Sequence, residues 1–239
     1  MVNYEVAVKK PFTDIGKLII GIILSFIPII NWIAKGFIIE CSGFGKTKRS
    51  DKMPKWDSWA DLFIKGFASI AITLIYAIPA ILVLLSTAGL AAVSLANTFV
   101  GTGISNELMA MATNGASQGA IKDIISQNFY LILPTILALA PLIIIGLLLL
   151  LIAVYLAPVA IVNYLKNKKF SKAFEFGYVS KMAFTSKYFV AWIASALITF
   201  VATVLLSLIP IVGAQIAAFV SGVISFSIYG DALREIKKR

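Results

Sequence analysis

Long apolar runs recur along the chain. The first run, Pro11 to Ile27, opens with Thr13 and Asp14, residues suited to a helix start. Pro28 and Asn31 interrupt it, and a second apolar piece continues to about Cys41. Leu62 to about Ala96 and Phe129 to about Asn163 are the two longest runs, each exceeding the roughly 20 residues of one perpendicular bilayer crossing. Tyr188 to Ile209 is a further run, Ile209-Pro210-Ile211-Val212-Gly213 turns it, and Ala214 to Tyr229 returns. Pro79, Pro134, Pro141 and Pro158 lie inside the long runs, where a missing N–H and a ring clash bend a helix. Residues 97–128 form the only long polar segment, yet Ile104, Leu108 and Met111, then Ile121, Ile124 and Ile125, recur at helical spacing. That spacing predicts one or two short surface-lying helices. Residues 166–187 read as amphipathic, with Phe170, Phe174, Gly177 and Tyr178 on one helical face and Lys172, Glu175 and Lys181 elsewhere.

The pattern predicts an all-α fold: a polytopic transmembrane helical bundle of about six membrane helices, two proline-turn hairpins flanking two long spans, with short interfacial helices. Within a single integral membrane domain over residues 1–239, the expected parts are a proline-broken hairpin (11–41), a basic loop (42–61) and a span (62–96). An outer loop (97–128), a second span (129–165), an amphipathic segment (166–187), a second hairpin (188–230) and a basic tail (231–239) follow. Small residues suited to close helix packing cluster at Gly66, Ala68 and Ser69, at Ala88, Gly89, Ala91 and Ala92, and from Gly213 to Gly222.

Composition agrees with the runs. Hydrophobic residues make up 60% of the chain and charged ones 13%, half the share of a soluble domain. The net charge of +10 raises the question of nucleic acid, but the cations sit in the loops between apolar runs, where the positive-inside rule accounts for them. No basic domain or nucleic-acid motif is present, so no nucleic-acid partner is expected. Charge also bears on the first apolar segment, which admits two threadings. A single kinked span over about 13–40 puts the N-terminus outside; a hairpin turning at Pro28-Asn31 keeps both flanks inside. Lys9, Lys10 and Lys17 on one flank and the 46–55 cations on the other favour the hairpin, although its legs are short for a bilayer of about 30 Å. The expected location is the cell membrane, multi-pass, with both termini cytoplasmic.

The segment Met53 to Gly66 carries the most specific pattern. Trp56, Trp59 and Phe63 stand at i, i+3 and i+7, so one helix would place them on a shared face as interfacial anchors. Lys46, Lys48, Arg49, Lys52 and Lys55 flank them, and with Lys166, Lys168 and Lys169 they form a candidate anionic-lipid surface. Pro54, Trp56, Asp57, Leu62-Phe63 and Gly66, with Lys35-Gly36-Phe37 upstream, resemble a family of uncharacterised, largely archaeal polytopic membrane proteins with a P-x-W-D-x-W-x-D-L-F-x-x-G motif. Lys172-Ala173-Phe174 and the Ile-Pro-Ile-Val-Gly turn are weakly similar to the membrane segments attached to some glycerophosphodiester phosphodiesterases; no hydrolase portion is present. The resemblance implies the architecture and assigns no activity.

The chain has no histidine and one cysteine, Cys41, which rules out a Ser-His-Asp triad, an intramolecular disulfide and a thiolate cluster. Gly43-Phe44-Gly45-Lys46-Thr47 lacks the spacing of a phosphate-binding loop. No catalytic or metal site, no cofactor and no enzymatic activity are expected. Charges within an apolar run are the exception that calls for a functional reading. Asn31, Lys35 and Glu40 form the candidate intramembrane polar site; Lys35 is placed either to hold an anionic headgroup or couple to Glu40, or to snorkel to an interface. The expectation is a non-enzymatic scaffold, assembly or lipid-organising component, with membrane lipids, other membrane proteins or a second copy as partners. The alternative is a small transporter or channel for lipid or another small solute, which a polar cavity walled by all three residues would favour.

Overall fold

A computed structural model describes residues 2–44, 51–113, 119, 122–123, 126, 128–206, 208–210 and 212–237. Among these residues the chain is all-α, with no strand. Asn3 caps the short helix α1 (Tyr4–Lys9), its side-chain oxygen accepting the Val6 N–H at 3.1 Å. A 3-10 turn at Lys10–Thr13 leads to Asp14, which caps α2 (Ile15–Phe26) through the Lys17 N–H at 3.1 Å. That bond and the Lys17 ammonium at 3.0 Å hold the Asp14 carboxyl below its ordinary value. Pro28 then ends the helix, and the chain turns with Ile29 at φ +69°, a conformation costly to a β-branched residue. Helix α3 (Asn31–Glu40) follows and packs against α2.

Beyond lie α4 (Trp59–Gly101), α5 (Ile104–Thr113), α6 (Phe129–Asn167), a 3-10 turn (Phe170–Phe174), α7 (Phe176–Ala183), α8 (Ser186–Leu206) and α9 (Gly213–Lys237). Four of them, α4, α6, α8 and α9, are long and apolar enough to cross a membrane. At 12 and 10 residues, α2 and α3 rise only about 18 and 15 Å, half of a hydrocarbon core. Pro79 lies inside α4, and Pro134, Pro141 and Pro158 inside α6, without ending either helix.

Two local readings need correction. Helix α4 starts at Trp59, so Trp56 precedes it and shares no helical face with Trp59 and Phe63. Residues 166–187 are not one amphipathic helix, because Glu175 (φ −74°, ψ 77°) separates a 3-10 turn from α7. The predicted helical spacing at Ile121, Ile124 and Ile125 falls outside the described residues, as do Lys46, Lys48 and Arg49 and the last two residues of the basic tail.

The chain forms two compact units. In the first, Met1–Tyr76 with Val154–Arg239, helix α9 is the centre. Of its most apolar window 72% is buried, against 11–28% in the other three long helices, and it contributes to all three core clusters. Small residues allow that centrality, since Ala217, Ser221, Ser225 and Ala232 let neighbours approach. The Ser221 and Ser227 hydroxyls donate back to Ala217 and Val223 carbonyls at 2.6 and 2.7 Å, so their burial leaves no donor unmet. The largest cluster joins Ile72, Val159, Val179, Tyr188 and Tyr229. Tyr76 donates to the Ala173 carbonyl at 2.7 Å and Tyr155 to that of Ala183 at 2.6 Å, tying the 3-10 turn and α7 to the long helices.

The second unit, Ala77–Ala153, holds the later part of α4, helix α5 and the earlier part of α6. Gly146 lies directly beneath Leu84, and Ser94 and Thr135 hydroxyls meet at 3.1 Å. Leu82, Leu85, Leu90, Leu137 and Leu147 are exposed.

Candidate functional site

The family-like motif meets α3, the helix that carries the candidate polar residues, where α3 lies on the first turns of α4. The two backbones touch there. A Cβ on Gly66 would fall 1.7 Å from the Trp32 carbonyl oxygen, and one on Gly36 1.8 Å from that of Leu62. Only glycine at both positions permits this approach. Around it the indole of Trp32 packs on Phe63 and Phe67 with centroids 5.4 and 5.2 Å away. Trp56 stacks on buried Phe37 at 3.9 Å and 11°, and its Nε1 donates to the Lys17 carbonyl at 3.4 Å. Trp56 and Phe63 are therefore half-buried packing residues, whereas Trp59 turns a 45% exposed ring outward.

Charge at the junction is organised around a residue the sequence reading passed over, Lys65. Its ammonium pairs with both Glu40 and Asp61, and the Glu40 side chain is 8% exposed. The Asp61–Lys65 spacing of i, i+4 was open to sequence reasoning. The Glu40 link, across 25 residues, was not. Beside the pair lies a cleft of about 430 Å³ walled by Asp57, Ser58, Tyr164 and Lys168.

Two further cations close the end of α3. Lys10, 5% exposed, donates to the Cys41 carbonyl at 2.8 Å, and Arg234 donates to the Ser42 carbonyl at 2.9 Å. Both meet carbonyls that a helix C-terminus leaves unbonded, at its negative end. Burial pushes the Lys10 ammonium below the ordinary lysine value, with Arg234 adding to the push and Cys41, Asp231 and Asp51 opposing it. The folded chain thus releases this proton before the unfolded chain does, so stability rises as pH climbs toward the ordinary value of 10.5. Lys10→Met is expected to cost about 1–2 kcal/mol at pH 7 by leaving the Cys41 carbonyl only the long 3.4 Å contact from the Ser227 hydroxyl, which it shares with the Val223 carbonyl, and to lack the alkaline rise. Thermal melts of both proteins from pH 7 to 10 check this; parallel curves would refute it.

Lys35 stands apart. It is exposed, on the wall of a separate cavity of about 500 Å³ with Ile39, Ile70, Leu74, Ala157 and Phe226. Asn31 opens α3 one turn earlier, its Oδ1 buried with no hydrogen-bond partner among the described residues. The structure thus does not bring Asn31, Lys35 and Glu40 to one cavity: Glu40 turns to Lys65, and five positions along a helix put it about 140° from Lys35. Of the candidate lipid-facing cations, Lys52, Lys55, Lys168 and Lys169 are exposed, and Lys166 is half-buried over the Tyr178 ring at 5.3 Å. Among the described residues no group of three or more His, Cys, Asp or Glu side chains is placed to hold a metal ion.

The family model described as a protein of unknown function, DUF4013, matches residues 20–211, a stretch that contains the whole α3–α4 junction. The chain belongs to the DUF4013 family. No curated protein and no solved structure matches it.

Proposed function

We propose that this DUF4013 chain is a multi-pass protein of the cell membrane that organises lipids or assembles membrane partners without catalysing a reaction. In this reading both termini are cytoplasmic, and α2 and α3 enter the bilayer from that side and return, bringing the membrane helices to about six. The cations support the orientation, since Lys52, Lys55, Lys166, Lys168, Lys169 and Arg234 flank the ends of the long helices that one compartment would share.

The observation that carries the reading is how the polar side chains of the first unit are used. Glu40, Lys65, Lys10 and Arg234 are committed to holding helices together, and the cavity beside Lys35 has mainly apolar walls. A solute pathway needs polar lining through the membrane. Purified chain in vesicles of phosphatidylcholine and phosphatidylglycerol (3:1) is expected to cluster labelled phosphatidylglycerol, read as a rise in energy transfer between labels. The same vesicles should show no solute efflux and no lipid conversion. Efflux above that of protein-free vesicles would move the assignment to a small transporter, and lipid turnover would move it to an enzyme.

A further inference from the structure

The cavity beside Lys35 has a composition that restricts what it can hold. Its walls are contributed by α3, α4, α6 and α9 and are aliphatic or aromatic over most of their area. Ser69 and Thr73 also line it, but their hydroxyls donate to the Gly66 and Ser69 carbonyls at 2.7 and 2.9 Å, within their own helix. The walls therefore offer a sugar or a polar solute almost no hydrogen-bond donors. At about 500 Å³ the cavity lies within the roughly 300–1,000 Å³ range of small-ligand sites.

Lys35 is the one charged residue on that wall. Covered cations elsewhere in the first unit have partners: Lys17 pairs with Asp14, Lys65 with Glu40 and Asp61, and Lys10 with a carbonyl. The Lys35 ammonium has no carboxylate and no hydrogen-bond acceptor among the described residues. An exposed cation on the wall of an apolar cavity calls for an anion, and the cavity calls for hydrocarbon. One molecule that meets both demands is amphiphilic, with a negative head and an apolar tail. Resting on the membrane placement argued above, we propose that this cavity takes an acyl chain of an anionic phospholipid, with the phosphate of its headgroup on the Lys35 ammonium.

The test uses the full-length chain, stripped of lipid in detergent and mixed with equimolar dioleoylphosphatidylglycerol and dioleoylphosphatidylcholine, with bound lipid counted by native mass spectrometry. The wild type should retain phosphatidylglycerol at least fivefold over phosphatidylcholine. Lys35→Gln should bring the ratio to near one, and Lys35→Arg should keep it. Thr73→Phe, which fills the cavity from a half-buried position, should lower retention of both lipids severalfold while leaving the thermal midpoint in place. The proposal is overturned if the wild type shows no preference, if Lys35→Gln keeps it, if Thr73→Phe binds as the wild type does, or if oleate or inorganic phosphate is retained in place of phospholipid. Clustering in vesicles that persists alongside any of these results leaves the lipid-organising reading standing and removes only this site. Solute efflux or lipid turnover removes that reading, whatever the mass spectra show.

Discussion

Gly66→Ala is expected to unseat α3 from α4 and lower stability by more than about 3 kcal/mol, at the upper end of overpacking changes. The new methyl would sit 1.7 Å from the Trp32 carbonyl oxygen, half of an ordinary contact distance. The obstacle is backbone, so no side chain can rotate aside; one helix must move by more than an ångström. Gly36, whose Cβ would meet the Leu62 carbonyl at 1.8 Å, closes the same contact from the other side and resists that shift. Moving α3 also disturbs the stack of Trp56 on Phe37 and the Trp32–Phe63 contact, which depend on the same spacing. For a chain of this size the loss should lower the thermal midpoint by roughly 6–12 °C, at about 2–4 °C per kcal/mol. Gly89→Ala supplies the control. Nothing lies within 4 Å of a Cβ there, and alanine in a helix interior is worth about 0.5–1 kcal/mol over glycine. Melts of the detergent-solubilised proteins that place the two variants within about 1 kcal/mol of each other would show the backbone contact to be unimportant.

That contact marks where the sequence stops being legible. Continuous apolar runs made the helices readable, including the four that are long and apolar enough to cross a membrane, because a 20-residue apolar segment has few alternatives in any solvent. Pro28 announced the break between α2 and α3 for an equally local reason. Gly66 was recognisable as a small residue, but membrane helices hold many, and which one meets a carbonyl depends on how two helices are rotated. The same holds for the site. Trp56 and Trp59 look alike three residues apart, yet one stacks inside on Phe37 and the other is exposed, because α4 starts between them. Asn31, Lys35 and Glu40 share one short helix and were grouped for that reason. The separation of Glu40 and Lys35 onto two cavities comes from partners far along the chain, Lys65 for Glu40 and the α4, α6 and α9 walls for Lys35. Helix α4 also runs through Asn97 and Thr98 to Gly101, past the point where loss of hydrophobicity suggested a loop, since polarity alone does not end a helix.

Lys65→Met should cost about 3–5 kcal/mol, comparable with the glycine change but for an electrostatic reason. The Glu40 carboxylate is almost wholly covered, and the substitution removes an ammonium paired directly with it while keeping the aliphatic stem. Asp61 is 55% exposed and can return to water, so it contributes little to the loss. Glu40→Gln should be milder, about 1–2 kcal/mol, because Lys65 keeps Asp61 and the amide still accepts a hydrogen bond. In the double variant neither half of the pair bears a charge, and its stability should lie close to that of Glu40→Gln alone. The resulting cycle is expected to give a coupling of at least about 2 kcal/mol, measured by thermal or denaturant unfolding in one detergent at one ionic strength. Strictly additive losses would mean that Glu40 draws its stabilisation from another group and that Lys65 merely lies beside it. A coupling of the expected size, unchanged between 50 and 500 mM salt, would place the pair out of reach of mobile ions, as two charges binding one helix to another require.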